Sequence, residues 1–197
     1  MDAALVTQIK SQLEAGLPGT ALKLVRDTIL VENPKDIVKV AAFLKDSEHQ
    51  LNYLSSVTGA DYIQFLETVY HFYSITKKTG PLVVRVRVPR DNAKVPSLVP
   101  VFRSAEYQER EAYDMYGIVY EGHPDLRRIF MWDGFEGFPL RKDYVQEDSE
   151  TLETADIEWL DKHGVKVAAE ARTKAEELKK QGKRAIAQKP GPGSEAV

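Results

Sequence analysis

From Leu82 to Val88 the side chains alternate strictly: Leu82, Val84, Val86 and Val88 are apolar, with Val83, Arg85 and Arg87 between them. A β-strand sends successive side chains to opposite faces, so this run predicts a strand with one face buried. Such a strand needs partners in a sheet and a cover over its apolar face. Two further runs supply the partners. Leu51 to Val57 and Tyr62 to Ile75 are rich in aromatic and β-branched residues, which favour pleated, half-buried surfaces. Thr58-Gly59-Ala60-Asp61 and Lys77-Lys78-Thr79-Gly80 have turn chemistry, and the three runs read as an antiparallel meander.

The cover is predicted just upstream. Asn33 suits a helix N-cap, Pro34 the first helical position, and Asp36 the electropositive first turn. Ile37, Val40, Ala41 and Leu44 then fall at i, i+3, i+4 and i+7, one face of a helix ending near Asp46. Residues 3–15 carry a weaker helical period, and Ala21–Arg26 and Thr28–Val31 read as short strands or one bent strand. The expected class is α+β: a small, mostly antiparallel sheet covered by helices, over residues 1–90. No internal repeat is present.

After Pro89 the pattern changes. Pro89, Pro96 and Pro100 keep the chain out of central ladders. Ser104 is placed to cap a helix that runs to about Tyr116, with Gly117 at its C-terminal stop. Ile118 to Tyr144 shows neither helical nor strand period, yet is dense in Gly, Pro, Arg and aromatics. An aperiodic stretch of that length is uncommon in a compact domain unless it is functional. Residues 91–146 are therefore expected to form a helix followed by an extended, subunit-binding arm. Residues 147–161 hold seven acids and no base, and 162–197 hold nine bases and four acids. An acidic segment followed by a basic, flexible tail is expected there.

Composition excludes several functions. The chain has 197 residues, a net charge of -3 and no cysteine. A disulfide framework, a thiolate nucleophile and Cys-held zinc or iron–sulfur clusters are all excluded. The acidic balance argues against nucleic acid as a partner. The longest run without a charged side chain, Gln50 to Ala60, is too short to span a bilayer. The first residues lack the basic start and apolar core of a secretory signal, so an aqueous compartment is expected, with membrane contact only through partners.

On a helical wheel, Glu106, Arg110 and Asp114 form an i, i+4 charge ladder of the kind found on solvated helix surfaces. Glu109 instead points into the opposite, apolar face with Ala105, Ala112, Tyr113, Met115 and Tyr116. A carboxylate there must find a cation or take up a proton. It is either a general acid or base, or one half of a buried ion pair with Arg127, Arg128 or Arg141. The ion pair is preferred, because no nucleophile or metal set accompanies it. His123 has no histidine at helical or hairpin spacing, since the others are His49, His71 and His163, which argues against a metal site. Arg127-Arg128 and Arg141-Lys142 could bind an anion or be solvated. Their setting among Ile129, Phe130, Met131, Trp132, Phe135, Phe138 and Leu140 fits an interface better, because arginine mixed with aromatics marks interface hot spots. The arm is then expected to be ordered by a partner and not by its own domain.

Three segments in order carry a resemblance: Glu109-Arg110-Glu111-Ala112-Tyr113-Asp114-Met115-Tyr116-Gly117-Ile118, Gly122-His123-Pro124-Asp125-Leu126-Arg127-Arg128-Ile129, and Pro139-Leu140-Arg141-Lys142-Asp143-Tyr144. Together they resemble the thirty-kilodalton subunit family of respiratory complex I, the proton-pumping NADH:quinone oxidoreductase. With Asn52-Tyr53-Leu54 and Val69-Tyr70-His71, the resemblance extends over residues 30–146. It implies a structural subunit of the hydrophilic arm, packed on the large quinone-site subunit, with no catalytic residue, metal or cofactor of its own. FMN and iron–sulfur clusters would belong to partner subunits. In a bacterium, the place implied is the cytoplasmic face of the inner membrane. Glu109, Arg110, Glu111, Asp114, His123, Pro124, Arg127, Arg128, Arg141, Lys142 and Asp143 are the interface or structural residues it points to. Phe138 stands where many members have histidine after glycine, so no proton role is assigned to it. The alternatives are a homologous scaffold of an energy-converting hydrogenase or ferredoxin-linked relative, and a stand-alone hydrolase using Glu109, Asp114 and His123.

Overall fold

The computed structural model describes residues 2–132, 134–144 and 154–162, and beyond these Gly164, Ala169, Arg172, Thr173, 175–177, Lys179 and Lys180. The expectations for residues 147–153 and for the tail after Lys180 lie outside the described residues. The chain divides into two units that part between Tyr144 and Val145.

The first unit opens with α1 (Ala3–Gly16), the hairpin β1 (Leu22–Val25) and β2 (Thr28–Val31), and a single 3-10 turn (Pro34–Asp36) leading into α2 (Ile37–Asp46). The meander β3 (Tyr53–Asp61), β4 (Phe65–Ser74) and β5 (Thr79–Pro89) comes next, and then β6 (Lys94–Pro96), α3 (Ala105–Tyr116) and β7 (Val119–Glu121). Five strands form one sheet in the order β1-β2-β5-β4-β3. All neighbours are antiparallel except β2 and β5, which run parallel with Ile29 opposite Val84. The α+β class and the mostly antiparallel sheet are as expected.

The predicted alternation sets the packing. Leu82, Val84, Val86 and Val88 are buried and join Val6, Ile9 and Leu13 of α1 and Ile37, Val40 and Leu44 of α2 in one core. Full burial of such side chains contributes about 1.5–3 kcal/mol each. Asn33 Oδ1 accepts the Lys35 N–H, as expected of a cap, although the first turn is 3-10 rather than α.

Two local expectations are corrected. Thr58-Gly59-Ala60-Asp61 is not a turn; β3 continues through it, and the chain reverses at Tyr62–Gln64, where Tyr62 N donates to Phe65 O (3.1 Å). Gly59 serves close approach instead, because a Cβ there would run into the Tyr116 ring. Ser104 does not cap α3: its backbone is already helical, and its hydroxyl donates to Leu54 O on β3 (2.9 Å).

In the second unit, α4 (Thr154–Lys162) carries Asp161, which pairs with Arg172 at 2.5 Å.

Candidate interaction site

The segment after α3 is fixed by groups of its own unit. Ile118 and Tyr120 are core residues, and β7 pairs in parallel with β6, Val95 opposite Tyr120. Further along, the chain returns over the C-terminal end of α3, where the last carbonyls of a helix lack partners. Gly117, left-handed at φ +72°, donates its N–H to Tyr113 O. Leu140 N donates to Met115 O at 3.1 Å, and Arg141 Nε to Tyr116 O at 2.7 Å. Arg141 thus brings positive charge to the electronegative helix end.

Asp114 holds the middle of the segment. Its Oδ2 accepts three consecutive backbone N–H groups, from Ile129 (3.0 Å), Phe130 (2.7 Å) and Met131 (3.0 Å). Arg128 donates to Oδ1 at 3.2 Å and to Gly137 O at 3.0 Å. Burial opposes ionisation of Asp114, but these amides and the guanidinium outweigh it and hold the carboxyl below its usual range. The surface ladder expected for Glu106, Arg110 and Asp114 is therefore corrected, because Arg110 and Asp114 are buried. Arg110 Nε donates to Arg127 O (3.2 Å), and its guanidinium lies over Tyr107, 5.6 Å from the ring centroid.

Asp61 holds the far end. Its Oδ1 accepts Ile63 N–H (2.7 Å) and an Arg90 hydrogen bond, and its Oδ2 accepts Lys142 N–H (2.8 Å). Arg90 also pairs with Asp143. Burial again works against ionisation, and Arg90 with the two amides keeps the Asp61 carboxyl low. Neither Asp61 nor Arg90 stands out in the sequence, where Asp61 falls in an apparent turn.

Glu109 is fully buried, as expected, but its partner is not an arginine. Ser97 Oγ donates to Oε2 at 2.6 Å and Leu98 N to Oε1 at 2.7 Å. With neutral partners only, burial pushes its pKa from 4.5 up to about 7. The arginines expected to pair with it are engaged elsewhere: Arg128 by Asp114, Arg141 by Tyr116 O, and Arg127 by Asp125 at 2.9 Å.

His123 is hydrogen-bonded through both ring nitrogens. Its Nδ1 accepts Asp125 N–H (3.0 Å), which leaves Nε2 to donate to Glu106 O (2.9 Å). Glu111 and Pro124 are exposed. Among the described residues no group of three or more His, Cys, Asp or Glu is placed to hold a metal ion. Among the side chains the arm presents outward are three large apolar ones, Phe130 (61% exposed), Trp132 (69%) and Leu140 (50%), beside the exposed charges of Asp125, Arg127, Glu136, Lys142 and Asp143. The expectation that a partner and not its own domain orders the arm is corrected to this extent: Asp114 and Asp61 of the same unit accept its backbone amides.

Fold and site together define an α+β domain that carries a carboxylate-pinned arm with exposed aromatic side chains. The model of one protein family, described as respiratory-chain NADH dehydrogenase, 30 Kd subunit, matches residues 30–150, and the chain belongs to that family. It is 48% identical over 118 residues to the C 2 subunit of the NADH-quinone oxidoreductase of Rhizobium etli, a match covering 56% of this chain and 60% of the relative. The chain thus spans less than two thirds of that relative's length. It is 38% identical over 146 residues to the corresponding NADH-quinone oxidoreductase subunit of Roseiflexus sp., covering 72% of this chain and 83% of the relative. A chain of an archaeal respiratory membrane complex, the membrane-bound sulfane sulfur reductase, shares the fold. The TM-score is 0.57 at 24% identity, over 71% of this chain and 85% of that one.

Proposed function

We propose that this chain is a non-redox structural subunit of the hydrophilic arm of a proton-translocating NADH:quinone oxidoreductase, packing on its large quinone-site subunit. The observation that carries this reading is the exposure of Phe130, Trp132 and Leu140 on backbone pinned by Asp114 and Asp61. Large apolar side chains on a fixed backbone lose little entropy on docking, and tryptophan and arginine dominate binding energy at interfaces. Membership of the 30 kDa subunit family supports the choice of complex. The electrons are carried by FMN and iron–sulfur clusters of partner subunits, and this chain supports their path by holding the assembly together. On this reading the chain is attached to the cytoplasmic face of the inner membrane through partners; no helix among the described residues is long and apolar enough to cross a membrane.

The test is to tag this chain in its host, purify it from membranes and identify what comes with it. Recovery of the large quinone-site subunit with NADH:quinone oxidoreductase activity is the expected result. Recovery of a hydrogenase large subunit in its place would favour the hydrogenase-type scaffold, and recovery of this chain alone would refute both.

A further inference from the structure

Ile63 occupies the reversal between β3 and β4 with φ +68°. In this left-handed region Cβ crowds the backbone, and a β-branched residue is a genuine outlier. Packing offers no compensation, because the side chain is 63% exposed. Glycine or asparagine would take the same backbone without that strain. An isoleucine here costs the fold something and gains it no burial, which points to a contact made outside this unit.

Several contacts tie the tip to its surroundings. Tyr62, itself 45% exposed, stacks on Phe65 with ring centroids 4.9 Å apart, and the Arg87 guanidinium lies 4.7 Å from the Phe65 centroid. Asp61 Oδ1 takes the Ile63 N–H, while Oδ2 of the same carboxylate takes the N–H of Lys142 at the end of the arm. One buried carboxylate therefore joins the hairpin tip to the arm, two residues from exposed Leu140. The tip and the end of the arm thus lie side by side on the surface of this unit.

We propose that Ile63, flanked by Tyr62, is a second anchor that engages the same partner subunit as the arm. The partner's facing surface is an apolar depression that takes an aliphatic side chain, with an acceptor at its rim for the Tyr62 hydroxyl. This rests on the reading of the arm as a docking element and adds a contact which that reading does not require.

The test replaces the host's own copy with Ile63→Gly, Ile63→Asn or Trp132→Ala, and isolates the assembled complex through a tag on another subunit. Occupancy by this chain is read by quantitative mass spectrometry, and melting temperature is read on the free chain. Ile63→Gly and Ile63→Asn should melt at or above the wild-type temperature, yet bind about tenfold more weakly, as loss of an interface anchor does. A benzophenone side chain introduced at position 63, and separately at 132, should cross-link to the same subunit. Wild-type occupancy for both Ile63 variants, with Trp132→Ala impaired, would overturn the second anchor and leave the arm intact. Wild-type occupancy for all three would overturn both readings. A lower melting temperature for both Ile63 variants would show that the side chain serves the fold, and cross-links to different subunits, or to a second copy of this chain, would show that the two surfaces do not share a partner. Each of these also overturns the proposal.

Discussion

Ser97 Oγ donates a 2.6 Å hydrogen bond to Glu109 Oε2, tying the turn after β6 to the middle of α3 through a carboxyl group that no cation among the described residues neutralises. The hydroxyl and the Leu98 amide satisfy the two oxygens but supply no compensating charge. The Tyr70 and Tyr120 side chains are fully buried nearby, and burial raises both hydroxyls above their usual pKa. The core at this point is polar and short of positive charge, so the Glu109 carboxylate takes up a proton more readily here than it would in water.

The pH dependence follows from that shortage. Glu109 titrates near 4.5 when unfolded and at about 7 when folded, so the folded state binds more protons between these values. Its contribution to stability is complete below about pH 4.5, falls as pH rises, and is lost above about pH 7, a change of about 3 kcal/mol. Asp61 and Asp114, whose carboxyls are held low, act in the opposite sense at the acid end. Urea unfolding of the wild type and Glu109→Gln between pH 4.5 and 8 separates the terms. The difference between the two should slope across this window, and parallel curves would show that Glu109 is already ionised in the folded protein.

Asp114 should be the most sensitive single residue of the arm. Removing its carboxylate strands three consecutive amides and the Arg128 guanidinium together. Breaking a buried charged network of this kind costs about 3–5 kcal/mol. Asp114→Ala should destabilise the free chain by that order and speed amide exchange at Ile129, Phe130 and Met131. Asp114→Asn keeps one carbonyl acceptor and should fall between. Unchanged exchange at these three amides in Asp114→Ala would mean that something else holds the arm.

The strands and α2 are legible in the sequence because their signal is local. Alternation at Leu82–Val88 and the i, i+3, i+4 series from Ile37 need only the residues themselves and a buried side. The wheel of α3 places Glu109 correctly for the same reason. It misplaces Arg110 and Asp114, because the face opposite Glu109 is covered by residues 127–131, a segment without period whose path no wheel contains. The partner of Glu109 is hidden for a related reason: Ser97 sits between prolines in sequence and reaches α3 only through the β6–β7 pairing, which carries Ser97 N to Glu121 O. The parallel β2–β5 pair is likewise set by tertiary packing, since a four-residue strand gives no hint of its neighbour.

Asp61→Asn tests whether tip and arm are one unit. Its two oxygens divide the Ile63 and Lys142 amides and also serve Arg90. An asparagine can accept through one oxygen only and turns donors toward the other set. Exchange should therefore rise at Ile63 or Lys142 but not at the core amides of β4, with a stability loss of about 1–3 kcal/mol. A loss confined to the β3–β4 turn in both Asp61→Asn and Asp61→Ala would show that the arm's end is fixed independently of the sheet.

The outward aromatics should behave in the reverse manner. Phe130 and Trp132 are 61% and 69% exposed, and Trp132 is in edge contact with Phe135 at 4.8 Å. Little burial is lost when they are truncated, so Phe130→Ala and Trp132→Ala should each change stability by less than about 1 kcal/mol. If their exposed area is an interface in waiting, the same variants should lower recovery of the assembled complex several-fold, with the free chain's circular dichroism unchanged. Asp114→Ala would then impair both properties, since it releases the backbone that aims these rings, whereas Trp132→Ala impairs assembly alone. Equal damage by Trp132→Ala to stability and assembly would place the indole among the groups that hold the arm. Damage to neither would leave the exposed rings without a docking role.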